Sequence, residues 1–150
     1  MVVVLVACKS AQTDLPLLQN CPDGGDCEVQ VFKESRLIYK KASNNTSKIE
    51  IEQDSDFQVI LITYSGDGSK EYKEEIYLQI PLRFKEIQSR NYSLQNQKVI
   101  YGKICDCPDK GYEYITSGKL ELINLKEFIS LHLEIKSSKS QVIKTLDLDI

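Results

Sequence analysis

Alternation of apolar and polar residues is the feature that most constrains how this chain folds. It runs through residues 27–33, 48–52 and 127–136. Because successive side chains of a strand point to opposite faces, each segment predicts a β-strand with one buried and one solvated face. Residues 57–64, 72–80, 98–105, 112–116, 119–123 and 141–150 are further strand candidates.

Turn chemistry between these segments predicts antiparallel pairing. Ser65-Gly66-Asp67-Gly68-Ser69 separates two strand candidates and is typical of a hairpin turn, and Pro81 ends the second strand. Residues 82–91 are the one segment that could carry a short helix. We therefore expect an all-β domain over residues 21–150, either an antiparallel β-sandwich or an open β-barrel with disulfide-stapled loops.

An apolar run, residues 1–7, precedes Cys8 and a polar stretch. It is far shorter than the roughly 20 residues that cross a bilayer as a helix. The run fits either a buried β-strand followed by a core thiol or the last part of a signal peptide. Leu5-Val6-Ala7-Cys8 resembles the lipobox of bacterial lipoproteins.

That resemblance implies diacylglycerol on the Cys8 thiol and cleavage just before it. Residues 1–7 would then be the end of a signal peptide, and residues 8–20 a lipid-anchored tether. Lys9 stands where an Asp would retain a lipoprotein in the inner membrane, so the resemblance implies anchorage in the outer membrane.

Four further cysteines form an even set: Cys21, Cys27, Cys105 and Cys107. Two residues apart on a strand, Cα atoms lie at or beyond the limit for a disulfide. We therefore expect two long-range bridges, either Cys21–Cys105 with Cys27–Cys107 or Cys21–Cys107 with Cys27–Cys105. A zinc or iron–sulfur site of four thiolates is the alternative. The two cysteine segments resemble those of small exported lipoproteins of the Bacteroidota.

Acidic residues flank both cysteine segments. If long-range bridges join the segments, Asp23, Asp26, Asp106 and Asp109 converge. Clustered carboxylates on turns are suited to Ca²⁺, which takes six to eight oxygen ligands. Ordinary solvated turns show the same composition, so no metal is firmly assigned.

Catalytic motifs are absent from the sequence. The single histidine, His132, alternates with Leu131 and Leu133 and is predicted to face solvent together with Ser130 and Glu134. Seven tyrosines could line a binding surface or simply be half-buried strand residues. They are Tyr64, Tyr72, Tyr77, Tyr92, Tyr101, Tyr112 and Tyr114.

These features predict a non-catalytic lipoprotein of the cell envelope, acting as a binding or structural module on the outer membrane. Its expected partners are membrane lipid, through Cys8, and an envelope protein or a glycan. The net charge of −3 gives no reason to expect nucleic acid. The alternatives are a carbohydrate or peptide hydrolase that uses carboxylates, and a carrier that holds a small ligand in a β-barrel.

Overall fold

Among the residues that the computed structural model describes, ten strands form two five-stranded antiparallel sheets, and the predicted all-β sandwich is confirmed. The structure describes residues 17–41, 46–66 and 71–150. The strands are β1 (Leu17–Leu18), β2 (Gly25–Lys41), β3 (Ser47–Gly66), β4 (Lys73–Pro81), β5 (Glu86–Arg90), β6 (Ile100–Ile104), β7 (Gly111–Tyr114), β8 (Gly118–Asn124), β9 (Ile129–Ile135) and β10 (Thr145–Asp149).

Two layers enclose one main core. Sheet A has the order β1-β10-β9-β8-β5, and sheet B has the order β2-β3-β4-β6-β7. Alternation turns one face of each strand inward, as the sequence pattern predicts. The facing side chains include Ile60, Ile62, Ile76, Leu78, Leu120, Leu122, Leu131, Leu133, Leu146 and Leu148, all at most 1% exposed.

The segment after β4 is not the predicted helix. Residues 86–90 form β5 on sheet A, because Ile87 packs against the core and Ser89 is buried opposite Leu120. A 3-10 helix follows at Asn91–Gln97. The short helix that residues 82–91 could have carried therefore does not form.

The far half of the β2–β3 hairpin folds back over the outer face of sheet B. A register shift between Lys33 and Ser35 bends the hairpin there. Beyond the bend, Leu37 is fully buried, and its backbone N–H donates to Gln79 Oε1 at 2.7 Å. This arm therefore closes a second, smaller core on the outer face, which includes Tyr77.

The predicted tether is described only from residue 17. Leu17 and Leu18 pair with the end of β10, and Leu18 packs against the main core. The predicted signal segment and Cys8 lie outside the described residues. Within the part of the chain that the structure describes, no helix has both the length and the apolar character needed to cross a membrane.

Candidate functional site

An open groove of about 640 Å³ lies at one end of the sandwich. It runs between the inner side of β2 and the turn that joins β8 to β9. Its apolar lining is Val29, Val31, Leu82, Leu125, Phe128, Ile129 and Ile150. We call this the edge groove, because one of its walls is a strand at the edge of a sheet.

The sequence of β2 accounts for the first wall. Alternation points Val29 and Val31 towards sheet A, whereas Glu28 and Gln30 point away. Because β2 is the terminal strand of sheet B, only one of its edges pairs with β3. Over residues 26–33, the other edge makes no backbone hydrogen bond to any described residue.

The second wall is a tight turn that leaves apolar side chains uncovered. Leu125 and Phe128 exchange backbone hydrogen bonds of 2.9 and 3.1 Å across the turn. Their side chains remain 44% and 39% exposed. Ile129 and Ile150 complete this wall and hold each other through two backbone bonds of 2.8 and 2.9 Å.

A buried polar group lies in the apolar lining. Gln58 is only 4% exposed, and its side-chain amide makes no hydrogen bond to another described residue. Both amide atoms keep some contact with solvent, since Tyr101 Oη is the one fully buried side-chain polar atom without a hydrogen bond among the described residues. The groove therefore offers an unused donor and an unused acceptor, which together match one peptide group.

A neighbouring cavity of about 530 Å³ shares Leu82 with the groove and is lined by charged side chains. Glu34, Asp56 and Arg83 are its charged residues, and all three are exposed. Catalytic carboxyl groups typically lie in partly buried, water-poor surroundings, and neither of these carboxyl groups is buried. The cavity therefore gives no support to the hydrolase alternative.

The opposite end of the sandwich holds a buried carboxylate. Glu74 is fully buried and accepts hydrogen bonds from the Tyr72 hydroxyl and the Ile143 backbone N–H, both at 2.8 Å, and from the Val142 N–H. Burial, and then the charge of Glu74, raise the pKa of Tyr101 well above its usual range. Glu74 thus joins sheet B to the β9–β10 loop.

A buried cation lies beside this carboxylate. Lys103 is 5% exposed, and its Nζ is 2.8 and 3.0 Å from the two carboxylate oxygens of Asp109 and 2.6 Å from Ser140 Oγ. The hydrogen bond from Lys103 is the main reason why the pKa of Asp109 falls to about 2. Local pattern does not reveal Glu74 or Lys103, because each occupies an inward position that alternation assigns to an apolar side chain.

The four cysteines pair within their own segments. Cys21 lies at disulfide-bonding distance from Cys27, and Cys105 from Cys107. The Cα atoms of the second pair are 5.3 Å apart, because the chain bends at Asp106 instead of continuing as a strand. Both predicted long-range pairings are therefore wrong.

Sheet register explains why the long-range pairs do not form. Cys27 lies opposite Tyr64, Tyr64 opposite Glu74, and Glu74 opposite Lys103. Three strand spacings, about 14 Å, therefore separate Cys27 from the strand that leads to Cys105. A disulfide needs Cα atoms within about 7 Å. The same separation rules out one site built from all four thiolates.

The proposed calcium ligands do not converge either. Asp23 and Asp26 lie at the start of β2, whereas Asp106 and Asp109 follow β6, with two strands between them. Asp109 is bound to Lys103 instead. The predicted convergence of the four carboxylates is therefore wrong.

The seven tyrosines do not share a surface. Tyr64 and Tyr101 pack in the core between the sheets, whereas Tyr77 and Tyr112 lie on the outer face of sheet B. The hydroxyls of the latter two donate to Glu75 Oε2 at 3.1 and 2.7 Å. Tyr77 and Tyr112 therefore fit the interpretation as strand residues whose ring packs and whose hydroxyl is bonded. Tyr101 is fully buried, and its hydroxyl makes no hydrogen bond to a described residue.

His132 lies on the outer face of sheet A with 30% of its side chain exposed. Its Nδ1 is 2.6 Å from Asp147 Oδ1, and its Nε2 is 3.0 Å from Glu134 Oε1. Glu121 lies opposite His132 on β8 and pairs with Lys119. The hydrogen bond to Asp147, followed by the one to Glu134, raises the pKa of His132 above its usual value.

The raised pKa makes His132 a small pH-dependent source of stability. Its contribution is present below the unfolded-state pKa of about 6.5 and is lost as pH rises through the folded-state pKa. We expect His132→Gln to destabilise the fold by less than about 1 kcal/mol near pH 5.5 and to have a smaller effect near pH 8.5. Urea unfolding of both proteins at the two pH values measures this, and an effect that grows with pH would contradict it.

The surroundings of His132 do not support a role as the base in nucleophilic catalysis. Carboxylates hold both of its ring nitrogens, so neither nitrogen is free to take a proton from a serine or cysteine.

No protein-family model, no curated protein and no solved structure matches the chain. Function therefore has to be inferred from the edge groove and the side-chain clusters themselves.

Proposed function

We propose that this protein is a non-catalytic lipoprotein of the cell envelope, anchored in the outer membrane through Cys8, that binds an extended apolar segment of another envelope protein in the edge groove. The observation that carries the binding role is the groove itself, in which an open strand edge and the unpartnered amide of Gln58 flank an apolar lining. The anchor rests on Leu5-Val6-Ala7-Cys8.

An open strand edge beside an apolar groove suits an extended peptide. The free N–H and C=O groups of β2 can pair with a peptide backbone, and alternate peptide side chains then enter the groove. Val31 and Phe128 supply apolar surface on the two walls. Lys33, Lys126 and Glu127 are the charged residues of the lining, and their net positive charge favours segments that carry an acidic residue.

The groove lining favours a protein segment over a glycan. Sugar rings stack on exposed aromatic faces, whereas Phe128 is the one aromatic side chain among the described residues that line the groove. The carrier alternative has less support, because β2 and β7 end sheet B as separate edges instead of closing a barrel.

Peptide selection tests the groove. A phage-displayed library of extended decapeptides, panned on the full chain, is expected to yield binders that contact the edge groove. Replacing Phe128 by Asp should weaken them at least about tenfold, because a charge would be desolvated in the apolar wall. Isothermal titration calorimetry with the selected peptide measures the change.

Tyr92→Asp is the matched control. Tyr92 is 81% exposed on the 3-10 helix and does not line the groove, so its replacement should leave peptide affinity unchanged. Failure to select any binder, or equal losses in the two variants, would contradict the proposed binding site.

Membrane fractionation tests the anchor separately. Expressed in a bacterial host with its complete signal peptide, the protein is expected in the membrane fraction with a lipid mass increment on Cys8. Cys8→Ser should abolish the increment, because only the thiol takes the lipid, and leave a soluble or uncleaved protein. An unmodified wild-type protein in the cytosol, with Met1 retained, would contradict the anchor.

A further inference from the structure

The segment after β6 brings three metal-ligating groups together. The Sγ atoms of Cys105 and Cys107 and a carboxylate oxygen of Asp109 all lie within 4.8 Å of one another. All three residues are half-buried, so solvent and small ions reach them. We propose that, once Cys105–Cys107 is reduced, these residues bind one thiophilic divalent cation such as Zn²⁺.

The ligand set suits such a cation. Thiolate sulfur selects zinc and other soft or borderline ions, and a carboxylate oxygen is an ordinary third zinc ligand. Three protein ligands leave the fourth tetrahedral position to water. The Cα atoms of the two cysteines, 5.3 Å apart, already lie on one side of the bend.

Neighbouring groups hold the third ligand in place. The Ser140 backbone N–H donates to Asp109 Oδ2 at 3.0 Å, and Lys103 Nζ contacts both carboxylate oxygens. Such outer contacts orient metal ligands. Lys103 also balances the charge, since two thiolates and a carboxylate carry three negative charges against two on Zn²⁺ and one on Lys103.

The disulfide controls access to this site. A bridge between residues two apart closes a very short loop, so it adds little chain-entropy stabilisation compared with a long loop. A dithiol reductant supplies two electrons and two protons, converts the bridge to two thiols, and itself becomes a disulfide. Zn²⁺ then binds both sulfurs as thiolates and releases their two protons to the buffer.

Thiol mapping tests the proposal in a chain that keeps all four cysteines of the β-domain. The full chain with Cys8→Ser is reduced, freed of reductant without oxygen, and treated with iodoacetamide with or without one equivalent of Zn²⁺. We expect Zn²⁺ to protect Cys105 and Cys107 and to leave Cys21 and Cys27 reactive. The proposal fails if Zn²⁺ protects no cysteine, or protects Cys21 and Cys27 equally well.

Affinity measurements identify the ligands. In competition with a chromophoric chelator, Cys105→Ser should weaken Zn²⁺ binding at least about 100-fold, and Asp109→Asn about 10-fold. The double variant Cys21→Ser, Cys27→Ser removes the other cysteine pair and serves as the control. It should leave the Zn²⁺ affinity unchanged, and circular dichroism should show that its β-domain is folded. The proposal would be overturned if Cys105→Ser bound Zn²⁺ as tightly as the unmodified site does, or if the oxidised protein bound Zn²⁺ as tightly as the reduced protein.

Discussion

Replacing Glu74 by Ala is expected to lower the free energy of unfolding by about 3 to 5 kcal/mol. Removing the buried carboxylate leaves the backbone N–H groups of Val142 and Ile143 and the Tyr72 hydroxyl without their acceptor. It also leaves the cation of Lys103, opposite Glu74 in the sheet, with less compensating charge. Urea unfolding followed by circular dichroism measures the loss.

Glu28→Ala provides the control for Glu74→Ala. Glu28 is an exposed glutamate on the same sheet, and among the described residues its side chain is hydrogen-bonded only by Gln30. Its replacement should change stability by no more than about 0.5 kcal/mol. A Glu74→Ala protein that unfolds like Glu28→Ala would show that the carboxylate does not join the two sheets.

Gly118→Ala is expected to destabilise the fold by at least about 3 kcal/mol. Gly118 begins β8 at a φ of +145°, and a Cβ atom there would lie 2.0 Å from the backbone oxygen of Glu134 on the neighbouring strand. That oxygen belongs to a rigid sheet, so the added methyl group can be accommodated only by separating β8 from β9. Thermal or urea unfolding detects the effect.

Gly24→Ala separates the clash from the backbone strain. Gly24 also has a positive φ, +84°, but a Cβ atom there meets nothing within 4 Å. Its replacement should cost only about 1 to 2 kcal/mol, the strain of a left-handed alanine. Equal losses in the two variants would contradict the close approach of β8 and β9 at Gly118.

Local pattern was sufficient to predict most of the strands. In β9, Leu131 and Leu133 alternate with His132 and Glu134, and the two sets lie on opposite faces of sheet A as expected. Pro81 ends β4 because it has no N–H to continue the ladder. Such features depend only on residues that are close together in the chain, so a single sequence is enough to predict them.

Tertiary pairing decided the features that were mispredicted. Residues 86–90 carry little alternation, and they form β5 because β8 provides an open edge. The cysteine pairing was wrong because it depends on strand order: β3 and β4 lie between β2 and β6. The folded-back hairpin arm likewise depends on the register shift between Lys33 and Ser35, which no local pattern in the sequence indicates.

The edge groove was only half predictable. Alternation predicts that Val29 and Val31 point inward, but it does not indicate that β2 is a terminal strand. Leu125 and Phe128 are far from them in sequence and meet the groove only through the pairing of β8 with β9. In the sequence, Gln58 is one polar residue within an apolar strand. Only its surroundings in the fold make it a candidate ligand contact.

Hydrogen–deuterium exchange on the complex with a selected decapeptide tests the proposed binding role most directly. In the free protein, the amides on the open edge of β2 over residues 26–33 make no backbone hydrogen bond to any described residue, so their hydrogens should exchange quickly. A bound peptide that pairs with this edge should slow their exchange, together with that of residues 125–129. Protection confined to other strands, or unchanged exchange in β2 at a saturating peptide concentration, would contradict the proposal that the edge groove is the binding site.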